Sequence, residues 1–68
     1  MRFHVEIDRE DDGRWIAEIP DLPGVMAYGE TREQAVAKAE ALALRVMADR
    51  VEGGEQMPVV DSMFAIAS

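Results

Sequence analysis

Cysteine is absent from this chain of 68 residues, and histidine occurs once. The missing thiols exclude disulfides and thiolate metal sites, and a single imidazole cannot form a histidine metal cluster. A domain this small buries a modest share of its surface and often needs further support. With disulfides and metal excluded, self-association is the remaining support. We therefore predict a homo-oligomer, at least a dimer.

Positive charge is scarce as well. The chain has seven Lys and Arg residues and 14 Asp and Glu residues, which gives a net charge of −7. Phosphate binding needs clusters of cations, so this composition argues against direct binding of nucleic acid and favours solubility or a basic partner. Long hydrophobic runs are missing too, and none approaches the ~20 residues of a membrane helix. The chain starts without a signal-peptide core. We expect a cytoplasmic protein.

The strongest pattern is a helix predicted over residues 31–52. Thr31 offers an N-cap hydroxyl, and Gln34 completes a capping box three residues later. Gly53 and Gly54 end the helix, because glycine tolerates the left-handed C-cap conformation. One broad apolar stripe is suited to lie on a sheet. It consists of Ala35, Val36, Ala39, Leu42, Ala43, Val46 and Met47.

A weaker apolar strip runs along another side of the same helix. Its members are Ala37, Ala41, Leu44, Ala48 and Val51. Alanine is a good helix former, which alone accounts for much of the strip. A contact surface for another subunit is the alternative, and the sequence leaves both interpretations open.

Alternating polar and apolar residues predict strands at 2–8 and 14–20, joined by an Asp-Gly turn. Further strands are predicted at 25–29 and 62–67, so the order is β-β-β-α-β. The predicted fold is a single α+β domain over residues 1–68, an antiparallel meander covered on one face by the helix. The predicted core comprises Phe3, Val5, Ile7, Trp15, Ala17, Ile19, Val36, Ala39, Leu42, Ala43 and Val46.

Catalytic chemistry has few candidates in this sequence. Carboxylates around the first turn resemble a magnesium site in composition, but a hairpin loop leaves them hydrated. Ser62 and Ser68 lack a plausible base, and the glycines form no phosphate loop. We predict no catalytic, cofactor-binding or metal-binding residues, and hence no enzyme.

Two stretches together resemble the N-terminal domain of HicB-type antitoxins. Residues 4–24 run from a strand through a glycine turn into a second strand that ends in Pro-Asp-Leu-Pro-Gly. Residues 28–35 then read Tyr-Gly-Glu-Thr-Arg-Glu-Gln-Ala at the helix start. The resemblance covers residues 2–58, although Val25 stands where many relatives have cysteine.

The resemblance implies a partial RNase H-like fold and the antitoxin role of a type II toxin–antitoxin pair. Such a protein binds and occludes a small basic HicA-like toxin that cleaves mRNA. Many relatives continue into a DNA-binding segment, and this sequence shows none. The alternative function is an orphan, non-catalytic homo-oligomeric scaffold or a small-ligand-binding module.

The candidate partner-binding residues are acidic or aromatic and lie around the first hairpin and third strand. They are Glu6, Asp8, Asp11, Asp12, Trp15, Glu18 and Tyr28. The carboxylates would attract a cationic protein, and exposed aromatics would anchor it. Core packing is the alternative role of both aromatic residues.

Overall fold

A computed structural model describes residues 2–67 and contains three strands and two helices. The strands are β1 (Glu6–Arg9), β2 (Trp15–Glu18) and β3 (Met26–Gly29). The long helix α1 (Arg32–Glu52) follows, and then the short helix α2 (Pro58–Asp61). The strands form an antiparallel sheet in the order β1-β2-β3. The predicted α+β class, a three-stranded antiparallel sheet with a long helix, is confirmed.

Each strand has four residues and is shorter than its predicted range. Residues 2–5 precede β1, although Phe3 and Val5 remain half-buried as their alternation predicted. The backbone N–H of His4 donates to the Asp21 carboxylate over 2.8 Å. This bond ties the entry to β1 to the loop between β2 and β3.

The β1–β2 connection is a tight hairpin, as the Asp-Gly pair predicted. The N–H of Gly13 donates to the Glu10 carbonyl (2.9 Å), and the N–H of Glu10 donates to the Arg14 carbonyl (2.7 Å). Gly13 has φ +91°, a left-handed conformation that glycine adopts without steric cost. The loop therefore closes one residue before β2 begins.

The β2–β3 connection places two of its side chains, Leu22 and Val25, in the core. The N–H of Leu22 donates to the Ile19 carbonyl, and the N–H of Val25 donates to the Leu22 carbonyl. Leu22 and Val25 are the largest fully buried side chains in the described chain. Pro20 and Pro23 have no N–H to satisfy, which suits this compact loop.

Helix α1 has the predicted caps. The Thr31 hydroxyl accepts from the N–H of Gln34 at 3.0 Å, and the Gln34 side chain accepts from the N–H of Glu30 at 2.7 Å. At the other end Gly54, rather than Gly53, is left-handed (φ +86°). The N–H of Glu55 then reaches the Arg50 carbonyl, which completes a Schellman-type end.

Alanines form most of the contact between α1 and the sheet. The buried residues are Ala17, Ile19, Leu22, Val25, Ala35, Ala39, Ala43, Met47 and Met57. Four members of the predicted core are among them, namely Ala17, Ile19, Ala39 and Ala43. The other predicted members are half-buried, including Leu42 and Ile7. Helix α1 lies over β2 and β3, so side chains at the β1 edge keep part of their surface exposed.

The strand predicted at 62–67 is wrong. Pro58 begins α2, the first helical position that proline favours, and the Ser62 hydroxyl donates to the Val59 carbonyl at 2.8 Å. Residues 62–63 form a turn and residues 64–67 have no regular secondary structure. An alternating apolar pattern forms a strand only where it can pair with the edge of a sheet. Here the helical turn α2 takes up the residues that would have connected the chain to such an edge.

Candidate partner-binding surface

The sheet has one face turned away from α1. Residues paired across an antiparallel sheet share a face, so the strand register defines that face. One row runs Glu6, Glu18 and Met26, and the next runs Asp8, Ile16 and Tyr28. We call these six residues the acidic face. The intervening row, Ile7, Ala17 and Ala27, points to the other side, where Ala17 is buried.

Carboxylates crowd the β1 side of the acidic face. A shallow depression there is lined by Glu6, Asp8, Glu10 and Glu18 together with two isoleucines. Glu6 lies directly opposite Glu18 in the strand register. A like-charge pair at that position is unfavourable. Among the described residues, no salt bridge joins any of these four carboxylates to a cation.

Apolar groups occupy the centre and the β3 side of the face. Ile16 is half-buried between Asp8 and Tyr28, while Met26 is 42% exposed and Tyr28 is 37% exposed. The guanidinium of Arg14 lies 4.5 Å from the centroid of the Tyr28 ring. This contact holds the aromatic ring at the surface. The face therefore offers exposed apolar groups beside a block of negative charge.

Asp12 is satisfied within its own hairpin. Its carboxylate accepts from the N–H of Arg14 at 3.0 Å and from Arg14 Nε at 2.8 Å. These bonds lower the pKa of Asp12 below its ordinary value, and the backbone bond has the larger effect. Asp11 is exposed in the same turn. Of the two turn carboxylates, Asp12 is therefore already paired with a cation, Arg14.

Trp15 lies apart from the other candidates. Its partners in the register are Arg9 and Gly29, on the side of the sheet that faces α1. The ring is half-buried against the core, and the Arg9 guanidinium lies 5.4 Å from its centroid. The structure thus brings Glu6, Asp8, Glu18 and Tyr28 together and places Trp15 on the opposite face.

Two residues of the acidic face, Ile16 and Met26, were not among the candidates from the sequence. Glu10, which lines the depression beside them, was not a candidate either. A signal existed for Ile16, an apolar residue at a polar-face position between Arg14 and Glu18. Met26 precedes Tyr28 by two residues, so strand alternation places both on one face. Only the strand register shows that Met26 lies in the same row as Glu6 and Glu18.

Between residues 2 and 67, no group of three or more His, Asp or Glu side chains is placed to hold a metal ion. No helix in that same range is long and apolar enough to cross a membrane.

The fold and this surface define a small acidic α+β module with one sheet face open to solvent. The family model described as "HicB_like antitoxin of bacterial toxin-antitoxin system" matches residues 3–68. The match spans nearly the whole chain, and the protein therefore belongs to the HicB-like antitoxin family. Membership supports an antitoxin role and implies a toxin partner. No curated protein and no solved structure matches the chain.

Proposed function

We propose that the acidic face binds a small basic HicA-like toxin that cleaves mRNA and inhibits it by covering its active surface. The observation that carries this proposal is the pairing of Glu6 with Glu18 beside Asp8, on a face where no described cation neutralises them. Family membership supplies the class of partner. In this proposal the chain inhibits the toxin by binding alone and catalyses no reaction. Binding takes place in the cytoplasm, where mRNA is found.

Charge explains how such a partner would be attracted. The chain has a net charge of −7, and the hairpin concentrates carboxylates at one edge of the sheet. A negative patch raises the encounter rate with a cationic protein and orients it more than it tightens the final complex. A basic toxin also relieves the repulsion between Glu6 and Glu18, so charge is better satisfied in the complex than in the free chain.

Affinity needs apolar anchors at the centre of the contact. Ile16, Met26 and Tyr28 form that centre, with carboxylates along one side as a polar rim. Tyr28 is held by Arg14, so ordering its ring on binding costs little side-chain entropy. Trp15, on the helix side, contributes to the core instead of to the contact.

The test is co-expression of this chain with the small basic protein encoded by a neighbouring gene. We expect the wild-type chain to rescue growth and to co-purify with that protein. Asp8→Asn and Tyr28→Ala should both weaken rescue, the first through slower association that salt also reduces, the second through faster dissociation.

Asp49→Asn is the matched control for Asp8→Asn, because it removes the same charge from an exposed position on α1. Equal losses for Asp8→Asn and Asp49→Asn would show that only net charge matters, and the acidic face would lose its role. If no neighbouring product is toxic or co-purifies, the antitoxin proposal fails and the orphan scaffold or ligand-binding module replaces it.

A further inference from the structure

Helix α1 carries a second surface, on a different side of the molecule from the acidic face. The second helical strip consists of Ala37, Ala41, Leu44, Ala48 and Val51. Leu44 is 58% exposed and Val51 is 44% exposed, although both are large and apolar. The sheet does not cover them, because the buried residues of α1 are Ala35, Ala39, Ala43 and Met47. Within residues 2–67 this strip has no partner over most of its length.

The strip widens at its C-terminal end into an apolar groove. One wall is formed by Leu44, Ala48 and Val51, and the other by Val60 of α2 and by Met63 just after it. Met63 is 61% exposed. Because Leu44, Ala48 and Val51 belong to both, the strip and the groove form one continuous apolar surface.

The spacing of the strip identifies the shape of its occupant. Its residues follow one another at intervals of four, three, four and three positions. An apolar repeat that averages 3.5 residues is the seam of two paired helices. Three of the five residues are alanine, so a second helix can approach closely. The surface is therefore shaped for a helix.

The charges on both sides of the strip indicate which helix pairs with it. One flank carries Glu33 and Glu40, and the other carries Lys38 and Arg45. In a parallel pair, the residue on the first flank faces the residue five positions later on the other copy. This places Glu33 beside Lys38 of the second copy and Glu40 beside Arg45 of the second copy, twice over by symmetry. An antiparallel pair would instead place Arg45 beside its own counterpart.

We propose that two copies of this chain pair through the second helical strip, with their α1 helices parallel and Leu44 meeting Leu44. The interface is isologous, since the same patch serves both copies. It leaves the acidic face of each copy free, because that face belongs to the sheet on the other side of the core. The proposal does not depend on the identity of a toxin.

Sedimentation of the purified 68-residue chain tests the pairing. We expect twice the chain mass at micromolar concentration, and a single-chain mass for Leu44→Glu. Met26→Glu is the matched control, since it adds the same charge at a similarly exposed apolar residue on the acidic face, and it should leave the dimer intact. A wild-type monomer throughout the micromolar range would overturn the proposal, as would equal loss of the dimer in both variants.

Single cysteines test the arrangement, because the natural chain has none. Under mild oxidation, Leu44→Cys and Val51→Cys should each give a disulfide-linked dimer, whereas Asp49→Cys, on the polar side of α1, should remain monomeric on a denaturing gel. Cross-linking at Leu44 without cross-linking at Val51 would overturn the parallel arrangement, because an antiparallel pair brings Val51 to Ala37. Far-ultraviolet circular dichroism confirms that each variant remains folded.

Discussion

At the scale of single residues, Gly29 lies directly against the backbone of α1. A Cβ built there would lie 2.4 Å from the backbone nitrogen of Ala35, and backbone cannot move aside as a flexible side chain can. We predict that Gly29→Ala destabilises the chain by about 1–3 kcal/mol, the usual cost of overpacking. Gly53→Ala is the control, because its Cβ meets only ordinary 3.5 Å contacts at φ −78°. Urea unfolding measures both, and equal effects would contradict the close approach.

Asp12 gives a prediction about pH. Its pKa is lowered in the folded chain by the N–H and guanidinium of Arg14. The stabilisation is therefore complete above the unfolded pKa, and it disappears as pH falls through the lower folded pKa. An NMR titration should place the Asp12 midpoint below its ordinary 3.8. Arg14→Gln should raise the midpoint only part of the way, because the N–H of residue 14 still donates. An unchanged midpoint in Arg14→Gln would rule out the side-chain contribution.

The Glu6–Glu18 pair predicts opposite effects on stability and binding. Removing one charge by Glu18→Gln relieves a like-charge contact, which should stabilise the free chain by about 0.2–1 kcal/mol. The same change should slow association with the basic partner. Thermal unfolding and stopped-flow binding measure the two effects. A variant that loses stability and binding together would instead indicate a structural role for Glu18.

At the scale of elements, α1 holds the domain together through one stripe. Met47 is buried at the end of a row that includes Ala35, Ala39 and Ala43. We predict that Met47→Ala costs about 2–5 kcal/mol in the free energy of unfolding. Asp49→Ala, on the exposed side of the same helix, should remain within about 0.5 kcal/mol. Comparable costs at both positions would mean that another face of α1 packs on the sheet.

Leu42 shows how far helical periodicity can predict burial. The residue belongs to the apolar stripe but is half-buried, because it lies at the edge of that stripe. Helix α1 lies over β2 and β3, and its buried residues are Ala35, Ala39, Ala43 and Met47. Periodicity therefore predicted the side of the helix that packs, while the position of the helix on the sheet determined which residues are buried. Likeness to RNase H stays a prediction.

At the scale of the whole molecule, charge predicts how the chain behaves toward DNA. With a net charge of −7 and no cluster of Lys or Arg in the sequence, duplex phosphates should repel it. We predict that the purified 68-residue chain gives no salt-sensitive, sequence-selective shift of its promoter DNA in a gel assay. The same chain mixed with a basic partner is the informative comparison, since a shift only in the mixture would assign DNA contact to the partner.

The sequence by itself determined the elements whose signals are local. Thr31 with Gln34 fixed the start of α1, Asp-Gly fixed the first hairpin, and alternation fixed which residues of β2 face the core. Such signals involve residues a few positions apart, so no distant contact is needed to interpret them. The family motif at residues 20–24 and 28–35 was equally local and led to the family that the chain belongs to.

Tertiary structure alone decided what depends on distant contacts. It left the predicted fourth strand, residues 62–67, as a turn and an irregular segment after α2, because a strand requires a neighbouring edge with which to pair. It joined Met26 to Glu6 and Glu18, because strand register is set by pairing across the sheet. The composition of the acidic face was therefore decided by register, a relation between strands that no single stretch of sequence contains.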